Sequence, residues 1–178
     1  AKLKLAKLLA ASGDLDGAEL LLSELAATHE NDAGILANLA VIKFRQDKGD
    51  EAQSLISAAV AIDSEATDVL LVAGSFELLK PNYEAAATLI ERGIELYPKE
   101  VGFYYLAIQE SVRTDDEAQI GVILKKMVEA FPDKLPLRKT LASFYASTGN
   151  REKAEGVLRT AVSDLAENTG AKLMLAGF

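Results

Sequence analysis

The chain has 178 residues, a formal net charge of −8, and 49% hydrophobic residues. Holding a phosphate backbone or an anionic lipid surface needs clustered Lys and Arg, and this balance runs the other way, which counts against nucleic acid and membrane surfaces as partners. Cys is absent, which removes disulfides, thiolate metal sites and a cysteine nucleophile, and no apolar run reaches the ~18 residues that span a bilayer.

Aromatic residues are only 6% and Trp is missing, so a core here is built from Ala, Leu, Ile and Val. Few prolines and an Ala/Leu/Glu/Lys bias favour helix over sheet. The first segment, 1–11, sets Leu3, Leu5, Leu8 and Leu9 among lysines at helical spacing. Ser12-Gly13-Asp14 stops it: Gly13 suits a left-handed C-terminal turn, and Asp14 or Asp16 suits the cap of the next helix. That helix, 15–29, presents Ala18, Leu21, Leu22 and Leu25 to a core, and Asn31-Asp32 closes it and caps its successor.

The plan then recurs. A helix over 33–47 carries Leu36, Leu39, Ala40 and Phe44, the turn is placed at Lys48-Gly49-Asp50, and the partner helix faces inward with Ala52, Leu55, Ile56, Ala59 and Val60. A third pair covers 69–79 and 83–97, broken at Pro81-Asn82 and closed by Pro98. A fourth runs 101–113, turns at Thr114-Asp115-Asp116 and continues to Phe131 before Pro132. A fifth starts near Leu135, turns at Thr148-Gly149-Asn150 and ends near Asn168. The last stretch, 171–176, resembles residues 1–6 and begins a sixth unit.

One spacing indexes all of this. Ala154, Ile120, Ala86, Ala52 and Ala18 stand a constant 34 residues apart, as do Leu158, Leu124, Ile90, Ile56 and Leu22. A fixed period of this size marks a stacked repeat, in which no helix pair can bury its apolar face alone. Repeats of about 1–32, 33–66, 67–100, 101–134 and 135–168, with the start of a sixth helix at 169–178, make 1–178 a single array. The chain opens inside a helical pattern and is expected to be a piece of a longer protein.

The pattern resembles the tetratricopeptide repeat. Small residues stand in the eighth place (Ala6, Ala40, Gly74, Ala142) and the twentieth (Ala18, Ala52, Ala86, Ala154), with large apolar residues in the twenty-fourth. The fourth repeat departs, with Ile108 and Ile120 in the two small places. Overpacking of that kind costs roughly 1–3 kcal/mol unless the helices move. A close contact between Ala107 and Gly121, one step away, would relieve it; Ala118 is the alternative small residue. The resemblance implies an all-α right-handed superhelical solenoid of antiparallel helix pairs.

Chemistry-bearing constellations are missing. His29 is the only histidine and belongs at a helix end; Asp14/Asp16 and Asp115/Asp116/Glu117 stand at helix starts, where carboxylates cap. Gly13, Gly49 and Gly149 read as isolated turn glycines and not as a phosphate cradle. No enzyme activity, cofactor or metal is expected.

In the family resembled, the first helices of the pairs line a concave groove. Transferred residue by residue, that face includes Lys7, Asn38, Phe44, Arg45, Tyr105, Gln109, Arg113 and Lys139, with Asp68 as its acidic exception. Such a groove suits an extended segment with acidic and apolar side chains. The heat-shock carboxylate clamp of the family is not reproduced: of Leu3, Lys7, Asn38, Asp68 and Val72 in its places only Asn38 matches, and Asp68 would repel a carboxylate. The resemblance implies a non-catalytic scaffold that binds a partner protein or extended peptide. The alternatives are a structural or assembly spacer in a larger bacterial envelope or secretion protein, and regulatory repeats attached to an enzyme domain elsewhere. Bacterial cytoplasm and periplasm are both compatible. Leu3, Leu5 and Leu8 at one end and Leu173, Leu175 and Phe178 at the other are expected to permit end-to-end self-association.

Overall fold

The computed structural model describes residues 1–29, 31–165 and 169–177; Asn168 and Phe178, named above as a boundary and an end-face residue, lie outside them. Among the described residues there are eleven helices and no strand. The chain divides into two compact units, Ala1–Tyr97 and Pro98–Phe178. The first holds α1 (Lys2–Ser12), α2 (Leu15–Thr28), α3 (Ala33–Arg45), α4 (Gly49–Ile62), α5 (Thr67–Leu79) and α6 (Tyr83–Leu96). The second holds α7 (Val101–Arg113), α8 (Glu117–Ala130), α9 (Leu135–Ser147), α10 (Arg151–Asp164) and α11 (Thr169–Ala176).

Every pair is closed by the same turn. At Gly13, Asp47, Pro81, Asp115 and Gly149, each one period after the last, the backbone takes a positive φ of 94°, 62°, 29°, 57° and 77°. The next residue then donates its N–H five residues back, as Asp14 does to Leu9 (2.9 Å), Lys48 to Lys43 (2.9 Å), Asn82 to Glu77 (3.0 Å), Asp116 to Ser111 (2.8 Å) and Asn150 to Tyr145 (2.7 Å). This is the Schellman closure, which gives partners to carbonyls that a helix end would otherwise leave bare. Gly49 is therefore not the turn glycine of the second pair. It opens α4, and the left-handed position belongs to Asp47. In the fourth pair the two neighbouring aspartates divide the work: Asp115 takes the left-handed turn, and the Asp116 side chain accepts from the Gln119 N–H at 3.0 Å as the cap of α8. Asp14 and Asp32 cap α2 and α3 in the same manner.

Packing follows the small residues. Ala6 and Ala18, Ala40 and Ala52, and Ala142 and Ala154 are all shut from solvent, as are Gly74 and Ala86. Leu22, Ile56, Ile90, Leu124 and Leu158 fill the core beside them. A methyl group or less at the crossing lets two helix backbones approach, and the branched residue one turn on occupies the remaining volume.

In the fourth pair the buried small positions are shifted by one residue. Ile108 and Ile120 are only half-buried, while Ala107 and Gly121 go into the core and Ala118 is exposed. The nearest neighbour at Gly121 is not Ala107, however. A methyl group added there would meet the Phe144 ring of α9 at 2.9 Å, so the glycine makes room for the next pair.

The fourth place of each repeat has its own device in this unit. Tyr104 and Arg138, one period apart, are both buried, and each donates back to the carbonyl of the proline six residues earlier: Tyr104 Oη to Pro98 at 3.1 Å, Arg138 Nε to Pro132 at 3.2 Å. Burial pushes the Tyr104 phenol up from its ordinary pKa. Arg138 keeps its charge compensated by Asp164 of α10 at 2.8 Å.

Two outcomes follow for stability. An L-residue at positive φ costs about 1–2 kcal/mol, so Asp115→Gly should raise the chemical-denaturation midpoint. Gly121→Val should cost about 1–3 kcal/mol by overpacking. That cost should shrink in a Phe144→Ala background, and equal costs in both backgrounds would show that the ring is not what the glycine accommodates.

Candidate functional site

The first helices of the first unit bring three of the sequence-selected residues onto one surface. Lys7 of α1 reaches Asp68 of α5 with its ammonium 3.0 and 2.9 Å from the two carboxylate oxygens. Asn38 of α3, between them, donates Nδ2 to the same carboxylate at 2.8 Å and to the Gly34 carbonyl at 2.6 Å. Asp68 is thus the ligand of this face, not an isolated repulsive charge. Lys7 and Asn38 hold a carboxylate that the protein itself supplies.

Two further first-helix cations of the unit, Arg45 and Lys43, are engaged too. Arg45 turns its Nη1 to the Ala10 carbonyl at 2.5 Å, which caps the exposed end of α1 and ties α3 to it. Lys43, largely covered, lies between Glu19 of α2 (2.7 Å) and Glu51 of α4 (2.8 Å). Gln46 donates to the same Glu19 at 2.7 Å. The hydrogen bond from Lys43, followed by that from Gln46, holds the Glu19 carboxyl below its ordinary pKa despite the opposing effect of burial. Phe44 leans on Phe76 with ring centroids 5.2 Å apart, so half of its surface is committed to packing between successive first helices.

The second unit presents a different face. On α7, Val101, Tyr105 and Val112 are exposed large apolar side chains, with 56% of the Tyr105 surface and 63% of the Val112 surface open. Gln109 lies between them along the same face, Arg113 follows at the helix end, and Lys139 is exposed on α9. His29 is spent at a helix terminus, with Nδ1 2.9 Å from the Thr28 hydroxyl and 3.2 Å from the Leu25 carbonyl. Among the described residues no three His, Asp or Glu side chains converge as metal ligands, and no helix is long and apolar enough to cross a membrane.

The sequence made Asp68 the acidic exception of this face, and the structure adds that Lys7 and Asn38 take up its carboxylate. The signal was present: Lys7, Asn38 and Asp68 fall successively about one helical turn short of the period, so they descend one line across three first helices.

No family model matches the sequence, and no curated protein matches it. Solved structures do match. A tetratricopeptide-repeat protein of Thermus thermophilus superposes with a TM-score of 0.64 at 18% identity, over 99% of this chain and 96% of its own. PilF of Pseudomonas aeruginosa gives 0.69 at 18% identity, over 90% and 74%. A tetratricopeptide-repeat protein of Parabacteroides merdae gives 0.60 at 17%, over 99% and 70%. At such identities the likeness is one of fold, and the fold is the all-α helix-pair repeat of tetratricopeptide proteins.

The Glu19 cluster sets an acid limb. Its carboxyl has a folded-state pKa below the unfolded value of about 4.3, so its contribution is present above that pH and is lost as pH falls through the folded value. Glu19→Gln should flatten the dependence of the denaturation midpoint on pH below about 4.3 and leave it unchanged in slope near neutrality.

Proposed function

We propose that this tetratricopeptide-type chain is a non-catalytic scaffold for a partner protein, and that the first-helix face of its second unit does the binding. The segment it fits is extended and carries acidic and apolar side chains. The supporting observation is the open stripe of Val101, Tyr105 and Val112 on α7, which carries Gln109 and Arg113 as well, while Lys139 is exposed on α9. Exposed aromatic and branched side chains beside cations are the composition of protein-recognition surfaces, where Tyr and Arg carry much of the energy.

The corresponding residues of the first unit have a supporting part. Lys7 and Asn38 are satisfied by Asp68, and Arg45 by the Ala10 carbonyl, so an incoming carboxylate would have to displace bonds already made. Lys7, Asn38, Phe44 and Arg45 therefore shape the first unit more than they attract a partner to it.

The test is affinity capture with the chain and with Tyr105→Ala and Arg113→Glu/Lys139→Glu variants, followed by titration of the captured partner. Each variant should weaken binding by at least ~10-fold, equivalent to about 1.4 kcal/mol, with helicity unchanged. Capture that is indifferent to both variants would move the binding surface elsewhere.

A further inference from the structure

On the opposite side of the first unit, α4 and α6 stand apart and leave a trough of 820 Å³ with α5 as its floor. The volume is within the range of about 300–1,000 Å³ typical of binding clefts. Phe76 and Ala73 form the floor, Val60 and Leu89 add apolar surface from the two walls, and Val60 is 39% exposed. The α4 wall is Gln53, Ile56, Ser57 and Val60, a helical i, i+3, i+4, i+7 stripe about 10 Å long at 1.5 Å per residue. That is the length of two turns of another helix.

Most polar groups of the trough accept, and its two amide donors turn to internal partners, Gln53 Nε2 to Ser57 and Asn82 Nδ2 to Glu77. The Thr88 hydroxyl gives its proton to the Glu84 carbonyl at 3.0 Å and leaves its lone pairs; the Ser57 hydroxyl gives its proton to the Gln53 carbonyl at 2.9 Å and, accepting from Gln53 Nε2 at 3.3 Å, leaves one. Glu77 receives Lys80 and Asn82. Among the described residues Glu84 has no ion-pair partner, and the Gln53 Oε1 is shut from solvent with no donor. No Lys or Arg lines the trough.

This chemistry is not imposed by the architecture. Two periods later a cleft of 520 Å³ opens between α8 and α10 over α9, with Phe144 in the place of Phe76. Its rim carries Lys125 in the place of Ser57 and Lys153 in the place of Ala85. The same position in the repeat can be cationic, and in the first unit it is anionic and acceptor-lined.

We propose that the α4–α6 trough is a second docking site, which receives an amphipathic helix of a partner protein whose apolar stripe is flanked by Lys or Arg. The apolar stripe covers Val60, Phe76 and Leu89, and the flanking N–H donors meet Glu84, Glu77 and the hydroxyl lone pairs. The site is separate from the α7 face proposed above and takes a ligand of opposite charge.

The probe is a fluorescein-labelled synthetic helix with leucines at i, i+3, i+4 and i+7 and lysines on its flanks. Its controls are a counterpart with glutamates for the lysines and a scrambled peptide of the same composition without the stripe. Fluorescence anisotropy against the full chain should show the striped cationic peptide binding at least ~10-fold more tightly than either control. Thr88→Trp, which fills the trough from an exposed position, and Glu84→Lys, which reverses its free charge, should each weaken binding by at least ~10-fold. Tyr105→Ala and Lys125→Glu should leave it unchanged. Equal binding of the scrambled peptide, insensitivity to Thr88→Trp in a protein of unchanged melting behaviour, or no binding at all would overturn the site. None of those results would bear on the α7 face, which the Tyr105 variant tests by itself.

Discussion

Two helices of a pair can lie against each other only where neither carries more than a methyl group at the crossing. Ala6 with Ala18, Ala40 with Ala52, Gly74 with Ala86 and Ala142 with Ala154 meet that condition, and all are buried. The rest of the fold hangs on it. With the backbones close, the branched residue one turn later reaches the next element, and the pair gains an apolar face that only a neighbour can cover. The left-handed turn between the helices sets their separation along the chain, and its recurrence at Gly13, Asp47, Pro81, Asp115 and Gly149 keeps the crossings in register. In the fourth pair, where the sequence puts bulky residues at those places, Ala107 and Gly121 are the buried ones, and Phe144 occupies the space over the glycine.

The same scaffold distributes charge unevenly. In the first unit three first-helix cations are held by internal partners: Lys7 by Asp68, Lys43 by Glu19 and Glu51, Arg45 by a helix-end carbonyl. An exposed pair such as Lys7–Asp68 is worth only about 0–1 kcal/mol, so its main effect is on what the surface offers to a partner. On its other side that unit opens an apolar trough lined mostly by acceptors. The second unit leaves apolar side chains open on α7.

Much of this was legible in the residues. The 34-residue period placed every helix start and stop to within a few residues, because small and large apolar residues recur at crossing and core positions for a steric reason that leaves a sequence trace. The fourth repeat announced its own irregularity through Ile108 and Ile120. The caps at Asp14 and Asp116 were equally visible, since a short carboxylate at a helix start has few other uses. The turn of the second pair was misplaced by two residues because Gly49 drew attention from Asp47: aspartate tolerates positive φ through its own local hydrogen bonding, and its presence in a chain does not declare that conformation.

The sequence by itself determined the period, the helix pairs, the small-residue crossings and the repeat in which they fail, since each depends on contacts between residues a fixed short distance apart. It also determined which face of each first helix carries Lys7, Asn38 and Asp68. Only the tertiary structure decided that these three bind one another, because the Lys7–Asp68 bond joins residues 61 apart and depends on three helices stacking. It likewise decided that Gly121 answers to Phe144, and that acceptors predominate in the α4–α6 trough. Both are properties of space between elements, where no single stretch of chain holds all the atoms concerned.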